Sequence, residues 1–246
     1  NDNHSEKTYS EEEENESTNS GFDISESVIT TLQNTKTQYK MFNFVDINNH
    51  ELIRYISSLK LDFMIYAGGG ILKQPILNCG TKFVHIHPGI IPNYRGSTCF
   101  YYSIINENKC GVTGYIMDEG IDTGPIIYQR EFEKPHHQFV DEIYDVDIRS
   151  ETLIDILQNN LLTKPFKQSE QQGNTYYIIH PVLKHIAILS CLEWHDGDQL
   201  NWNNFKKNKA LSGILTIGAG NVVGGAITSF FWLFLAGILS TESYGQ

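Results

Sequence analysis

Cysteine is scarce: the 246 residues contain four, Cys79, Cys99, Cys110 and Cys191, and no two are spaced C-x-x-C. That excludes a zinc ribbon and a disulfide framework, and isolated thiols suit a reducing compartment. No G-x-x-x-x-G-K-[ST] run occurs, which excludes a phosphate loop of that type. Basic residues are few as well, 18 Lys and Arg against 29 Asp and Glu, for a formal charge of −11. Nine of the acids and one base lie in residues 1–26, leaving 20 acids against 17 bases, a charge of −3, in the other 220 residues. A near-neutral body offers no basic face for phosphates, so no nucleic-acid partner is expected. Residues 1–22 are also nearly free of large apolar side chains. They cannot bury enough area to offset their ordering entropy, so residues 1–26 read as a disordered acidic tail. Lacking a basic start and an apolar run, this segment does not read as a signal peptide.

The texture changes at Ser25. Val28, Ile29 and Leu32 stand at helical spacing, Met41-Phe42-Asn43-Phe44-Val45 reads as a strand, and residues 50–56 open a helix. The run LDFMIY (61–66) is a strand entering the glycine loop Ala67-Gly68-Gly69-Gly70. A helix ILKQPIL, a strand KFVHIH (82–87), the loop PGIIPNYRG and a helix TCFYYSIINE come next. Strands GVTGYIMD (111–118) and PIIYQREFE (125–133) precede a longer helix over roughly 138–160. Strands that alternate with helices and are apolar on both faces predict an α/β fold with a mainly parallel sheet.

Residues 210–241 carry no charge, which exceeds the roughly 20 apolar residues that a membrane helix needs. Lys206, Lys207 and Lys209 precede this run and Glu242 follows it, which places the preceding domain on the cytoplasmic side, anchored to the inner face of the plasma membrane. The reading is a tail (1–26), a domain (27–192), a linker (193–209) and a transmembrane helix (210–241).

Chemistry concentrates in residues 82–132. His85 and His87 alternate at a strand end, so both face one side at the mouth of the sheet, where α/β proteins bind ligands. Asp118-Glu119-Gly120-Ile121-Asp122-Thr123-Gly124 is a glycine-flanked acidic loop. A carboxylate beside an imidazole orients the ring and favours its charged form, which is the pairing that acid–base group transfer uses. The same residue types also suit a metal, and spacing alone leaves both readings open. His180 and His185 read as structural.

HIHPGIIPNYRGS together with MDEGIDTGPII resembles the catalytic core of the folate-dependent formyltransferases. The resemblance spans about residues 27–192, with its specific motifs in 68–126, and implies a Rossmann-like sheet of the formyltransferase type. It implies transfer of a formyl group from 10-formyltetrahydrofolate to an amine, with no metal. By it, His87 is the catalytic histidine that stabilises the oxyanion, and Asp122 is the acid paired with it. Gly70, Ile71, Leu72, Ile90, Ile91, Pro92, Asp118 and Gly120 line the pterin pocket, while Arg95 and Gly96 contact substrate. The family has Asn where this chain has His85, and a neutral imidazole has one N–H with which to donate in its place. With Asp122 beside it, the His87 pKa is expected to rise.

The family's opening strand, loop and helix have no counterpart ahead of residue 27, so the domain reads as N-terminally incomplete. The segment 176–189 resembles formyltransferase-like proteins of surface-polysaccharide pathways, and FFWLFLAGILSTESYGQ resembles the first helix of polysaccharide flippases. The expected acceptor is therefore a small-molecule amine, a nucleotide-linked amino sugar among the choices. The alternatives are a formyltetrahydrofolate hydrolase and a non-catalytic fragment fused to the start of a transporter.

Overall fold

The computed structural model describes residues 9–19, 23–68, 70–168 and 173–192. Within the segment expected to be disordered, Glu11–Asn19 forms helix α1. The Ser10 N–H donates to Glu13 Oε2 at 2.7 Å, and the Glu13 N–H donates back to Ser10 Oγ at 3.2 Å. This capping box, with Glu11 to Glu14 in the first turn against the positive end of the helix dipole, makes the helix without an apolar face. Apolar content alone does not reveal it.

Helices α2 (Val28–Asn34) and α3 (His50–Leu59) follow, each capped by a side chain: Ser27 accepts from the Thr30 N–H and Asn49 from the Glu51 N–H. Then come β1 (Phe63–Tyr66), α4 (Gln74–Leu77), β2 (Lys82–His87), β3 (Tyr94–Gly96), α5 (Cys99–Glu107), β4 (Lys109–Ile116) and β5 (Ile126–Glu133). A π-helical turn, Val140–Tyr144, leads into α6 (Asp145–Gln158), and β6 (Asn174–Tyr176) and α7 (Pro181–Cys191) complete the described fold.

The main sheet has the order β1-β2-β4-β5. β1 and β2 are parallel, but β2–β4 and β4–β5 are antiparallel, so the sheet is mixed and not mainly parallel. Connection length explains one of the two reversals: a parallel return needs about a dozen or more residues, and only nine (117–125) join β4 to β5. The β2–β4 connection, residues 88–108 with β3 and α5, is long enough for either direction. A second, two-stranded sheet pairs β3 with β6 in parallel. Residues 41–45, expected as a strand, have no ladder partner among the described residues; Val45 is fully exposed.

Alternation along β2 divides the layers. Val84 and Ile86 enter the main core with Phe100, Tyr101, Ile104, Val112 and Ile127, where Ile148 and Ile156 of α6 pack. On the opposite face Phe83 joins Ile56 of α3, Leu72 and Ile76 of α4. His85 and His87 continue that second face beyond Phe83, at the C-terminal end of β2. The apolar run 210–241 and the linker 193–209 lie outside the described residues. Among those described, no helix is long and apolar enough to cross a membrane.

Candidate functional site

The end of β2 and the loop after β4 meet at His87 and Asp122. His87 is 2% exposed, and its Nδ1 lies 3.4 Å from Asp122 Oδ2. Its Nε2 is 2.9 Å from the Tyr94 carbonyl oxygen. A carbonyl only accepts, so Nε2 carries the hydrogen. In the neutral ring this leaves the Nδ1 lone pair facing the carboxylate. Burial lowers the His87 pKa and outweighs the pull of Asp122 and of the Tyr94 carbonyl in the other direction; the charges of His85 and Arg149 lower it further. The expected rise therefore does not occur, because desolvating an imidazolium this deep costs more than one nearby carboxylate returns.

Asp122 is held at its carboxylate by two hydrogen bonds. Its Oδ2 accepts from the Gly96 N–H at 2.6 Å, and its Oδ1 accepts from the Tyr115 hydroxyl at 2.7 Å. Its backbone sits at φ 52°, a left-handed conformation that Asp tolerates better than most residues. Two glycines permit the close approach. Gly96 has φ 99°, and a Cβ there would lie 2.0 Å from the Tyr176 carbonyl oxygen; a Cβ on Gly124 would lie 1.7 Å from the Ile116 oxygen.

His85 faces the same side as His87, with ring centroids 6.4 Å apart, and the Tyr115 ring stands edge-on to both. His85 Nδ1 is 2.9 Å from the Tyr66 carbonyl oxygen, so the one N–H of the neutral ring is already committed. Burial lowers its pKa, with Tyr66 and Asp122 opposing and Arg149 adding to the fall. A neutral His85 thus presents Nε2 as an acceptor. It does not offer the oxyanion the N–H expected of it.

The residues expected to line the pterin pocket divide. Leu72 and Ile91 are buried in neighbouring clusters that share Met117 at the end of β4. Pro92 and Ile90 are half-buried, the Ile91–Pro92 peptide is cis, and Thr113 and Gln129 tie this loop to β4 and β5. Gly70, Ile71, Asp118 and Gly120 are exposed. Gly70 accepts from the Tyr66 hydroxyl at 2.5 Å, Ile71 O from Asn48, and Asp118 Oδ1 from Gly120 N and Thr123 Oγ1. Arg95 donates from Nη2 to Gln168 Oε1 at 2.5 Å, while its buried Nε has no partner among the described residues. A cavity of about 200 Å³ lies elsewhere, between β1 and α6, lined by Ile65, Ile86, Val146, Arg149 and Leu153 among others; it contains none of these residues.

Sequence reasoning missed Tyr115 and Gln168. Tyr115 stands directly opposite His85 in the antiparallel β2–β4 register, a pairing hidden as long as the sheet is taken as parallel. His180 caps α7 by accepting from the Val182 N–H.

The site can take and hold one proton. A proton on His87 Nδ1 faces Asp122 Oδ2 at 3.4 Å, within ion-pair range.

The formyl transferase family profile matches residues 14–151. Methionyl-tRNA formyltransferase from Clostridium acetobutylicum is 29% identical over 180 residues, covering 69% of this chain and 53% of that protein. The Thermosipho melanesiensis enzyme of that name is 33% identical over 133 residues, covering 52% and 42%. The chain spans about half the length of the curated relatives it matches. A sugar N-formyltransferase structure from Shewanella sp FDAARGOS_354 aligns with TM-score 0.47 at 23% identity, covering 63% of this chain and 69% of that one. The methionyl-tRNA formyltransferase structure from Clostridium thermocellum aligns with TM-score 0.48 at 15% identity, covering 77% and 82%.

Proposed function

The chain belongs to the formyl transferase family, and on that premise we propose that it moves a formyl group from 10-formyltetrahydrofolate to the amino group of an amino sugar. The observation that carries the reading is the buried His87–Asp122 pair, Nδ1 to Oδ2 3.4 Å. When bound, 10-formyltetrahydrofolate supplies the formyl group. As the amine attacks the formyl carbon and the bond from that carbon to N10 breaks, the amine gives up one proton and N10 of the departing tetrahydrofolate gains one; the His87–Asp122 pair is the basic centre that carries this proton. Asp122, fixed by Gly96 and Tyr115, stabilises the imidazolium so formed. Because burial keeps the ring neutral beforehand, His87 meets the amine as a base. Half-buried Met117, backed by the Leu72 and Ile91 clusters, suits the face of a flat heterocycle, with Asp118 following it at the rim.

The charge balance supports a small acceptor over a transfer RNA. With −3 spread over 220 residues, the body has no surplus of cations with which to hold a phosphate backbone. We further read the uncharged run 210–241 as an anchor that keeps the domain at the inner face of the membrane. Carbonate extraction of membranes carrying the full chain, against a chain ending at residue 209, tests that part.

The activity is tested by incubating the full chain with 10-formyltetrahydrofolate and a nucleotide-linked amino sugar, followed by mass spectrometry. The expected product is the sugar carrying one added formyl group. Formate release without sugar product replaces transfer by hydrolysis, and preferential formylation of methionyl-tRNA removes the sugar.

A further inference from the structure

Gln168 lies far from the motif residues in sequence and among them in space. Its place is set by the bridge between Phe166 and Ile126, whose N–H and carbonyl groups exchange two hydrogen bonds of 2.8 Å. Two residues on, the Gln168 side chain turns to the acidic loop. Its Nε2 donates to the Asp122 carbonyl oxygen at 2.8 Å and to the Gly124 carbonyl oxygen at 2.8 Å. Its Oε1 accepts from Arg95 Nη2 at 2.5 Å. The partners fix the orientation of the amide: two carbonyls require the NH₂ end, and a guanidinium requires the oxygen.

These bonds close a ring. Gln168 holds Arg95, the next residue Gly96 donates its N–H to Asp122 Oδ2, and the Asp122 carbonyl returns to Gln168. The oxygen that the ring fixes is the one 3.4 Å from His87 Nδ1. Asp122 sits at φ 52°, so its side-chain direction depends on a backbone conformation of small intrinsic preference. One carboxamide thus joins both carbonyls of the loop turn to the strand that carries the Gly96 donor.

We propose that Gln168 is a positioning residue for formyl transfer, acting through Asp122 by locking the 122–124 turn against β3. It touches neither His87 nor the reacting groups. The proposal rests on the His87–Asp122 reading, and its readout is chosen to work whether or not the chain proves active.

The test follows the His87 imidazole by NMR titration of the full chain, in wild type, Gln168→Met and Gln168→Glu. Methionine preserves length and loses every hydrogen bond; glutamate keeps the Arg95 contact and loses both donors to the turn. Without the Gln168 donors Asp122 keeps only its Gly96 and Tyr115 bonds, and the contribution that opposes burial weakens, so the His87 pKa is expected to fall in Gln168→Met. The added carboxylate of Gln168→Glu favours the charged ring and opposes that fall, so this variant is read by kcat. In an active chain kcat is expected to drop about ten- to a hundredfold with the donor KM nearly unchanged, as for a displacement of about 1 Å in a reacting group. Should Gln168→Met fail to fold, Gln168→Leu, which also loses every hydrogen bond and adds no charge, decides. An unchanged His87 titration in a folded uncharged variant, with only a lower unfolding temperature, reduces Gln168 to a structural residue and overturns the proposal. A wild-type chain inactive toward amines removes the proposed function yet leaves the titration readable.

Discussion

The Tyr115 hydroxyl donates to Asp122 Oδ1 at 2.7 Å, which leaves Oδ2 as the oxygen directed at His87. Both groups of this contact are buried. Removing the hydroxyl leaves a buried acceptor unsatisfied, at about 1–3 kcal/mol. Tyr115→Phe is therefore expected to lose stability of that order in urea unfolding, and to lose formyl transfer with it. A variant of wild-type stability would show that solvent reaches Oδ1.

His87→Gln preserves much of the volume and a donor for the Tyr94 carbonyl, but has no basic nitrogen. Formyl transfer is expected to fall by about 10²–10⁴, the usual contribution of a positioned base, while the circular dichroism spectrum is unchanged. In wild type the rate should decline toward acid pH with a midpoint below 6.5, because burial lowers the His87 pKa and protonation removes the base.

The two histidines also set the acid limit of stability. Both have pKa values lowered by burial, so the folded chain binds fewer protons than the unfolded chain near and below pH 6.5. Stability is present above 6.5 and is lost as pH falls through that window. His85→Asn removes one of the two groups and can still donate to the Tyr66 carbonyl. The fall in unfolding temperature between pH 7.5 and pH 5 is expected to be smaller in this variant, with transfer activity largely retained.

Asp145 behaves in the opposite sense. Burial raises its pKa to about 6 despite the Arg149 guanidinium 2.8 Å away, and Asp141 adds to the rise. Its buried Oδ1 has no partner among the described residues. The folded chain holds this proton more tightly than the unfolded chain, so stability from Asp145 falls as pH rises from about 4 to about 6. Asp145→Asn cannot ionise. Its stability relative to wild type is expected to improve by an amount on the order of 1–3 kcal/mol between pH 4 and pH 7, measured by urea unfolding at both. A pH-independent difference between the two would place the Asp145 pKa near its ordinary value.

Gly96→Ala is expected to cost at least several kcal/mol. A Cβ would sit 2.0 Å from the Tyr176 oxygen, against backbone and not a movable side-chain tip, at a φ of 99° that alanine resists. Limited proteolysis should then cut near β6, which the β3 pairing otherwise holds.

The run of elements from α3 to α6, β3 apart, and the approach of His87 to Asp122 were legible because they rest on local signals. Alternation fixes which face His85 and His87 share, and glycine and acidic residues mark the Asp122 loop. Strand direction was not legible from burial pattern, since a strand covered on both faces is equally apolar whichever way it runs. For β4 and β5 the short 117–125 connection was the available signal, whereas the 88–108 connection from β2 to β4 permits either direction. Residues 41–45 show the converse: a strand pattern makes a strand only where a neighbour supplies hydrogen bonds, and here none of the described residues does. The direction of the His87 shift escaped because it is a difference between burial and a nearby charge, and depth is not written in spacing. Gln168 escaped because nothing local ties position 168 to position 122.

That separation has a consequence for synthesis. His85, His87, Gly96, Tyr115 and Asp122 leave the ribosome close together, but the Phe166 bridge, Gln168 and the β6 partner of Gly96 come later. At roughly 5–20 residues per second, Tyr176 follows Asp122 by about 3–11 seconds. For that interval the nascent chain carries every motif residue with the acidic turn unlocked. A chain halted before residue 166 would match the family by its motifs and still lack the clamp on the 122–124 turn.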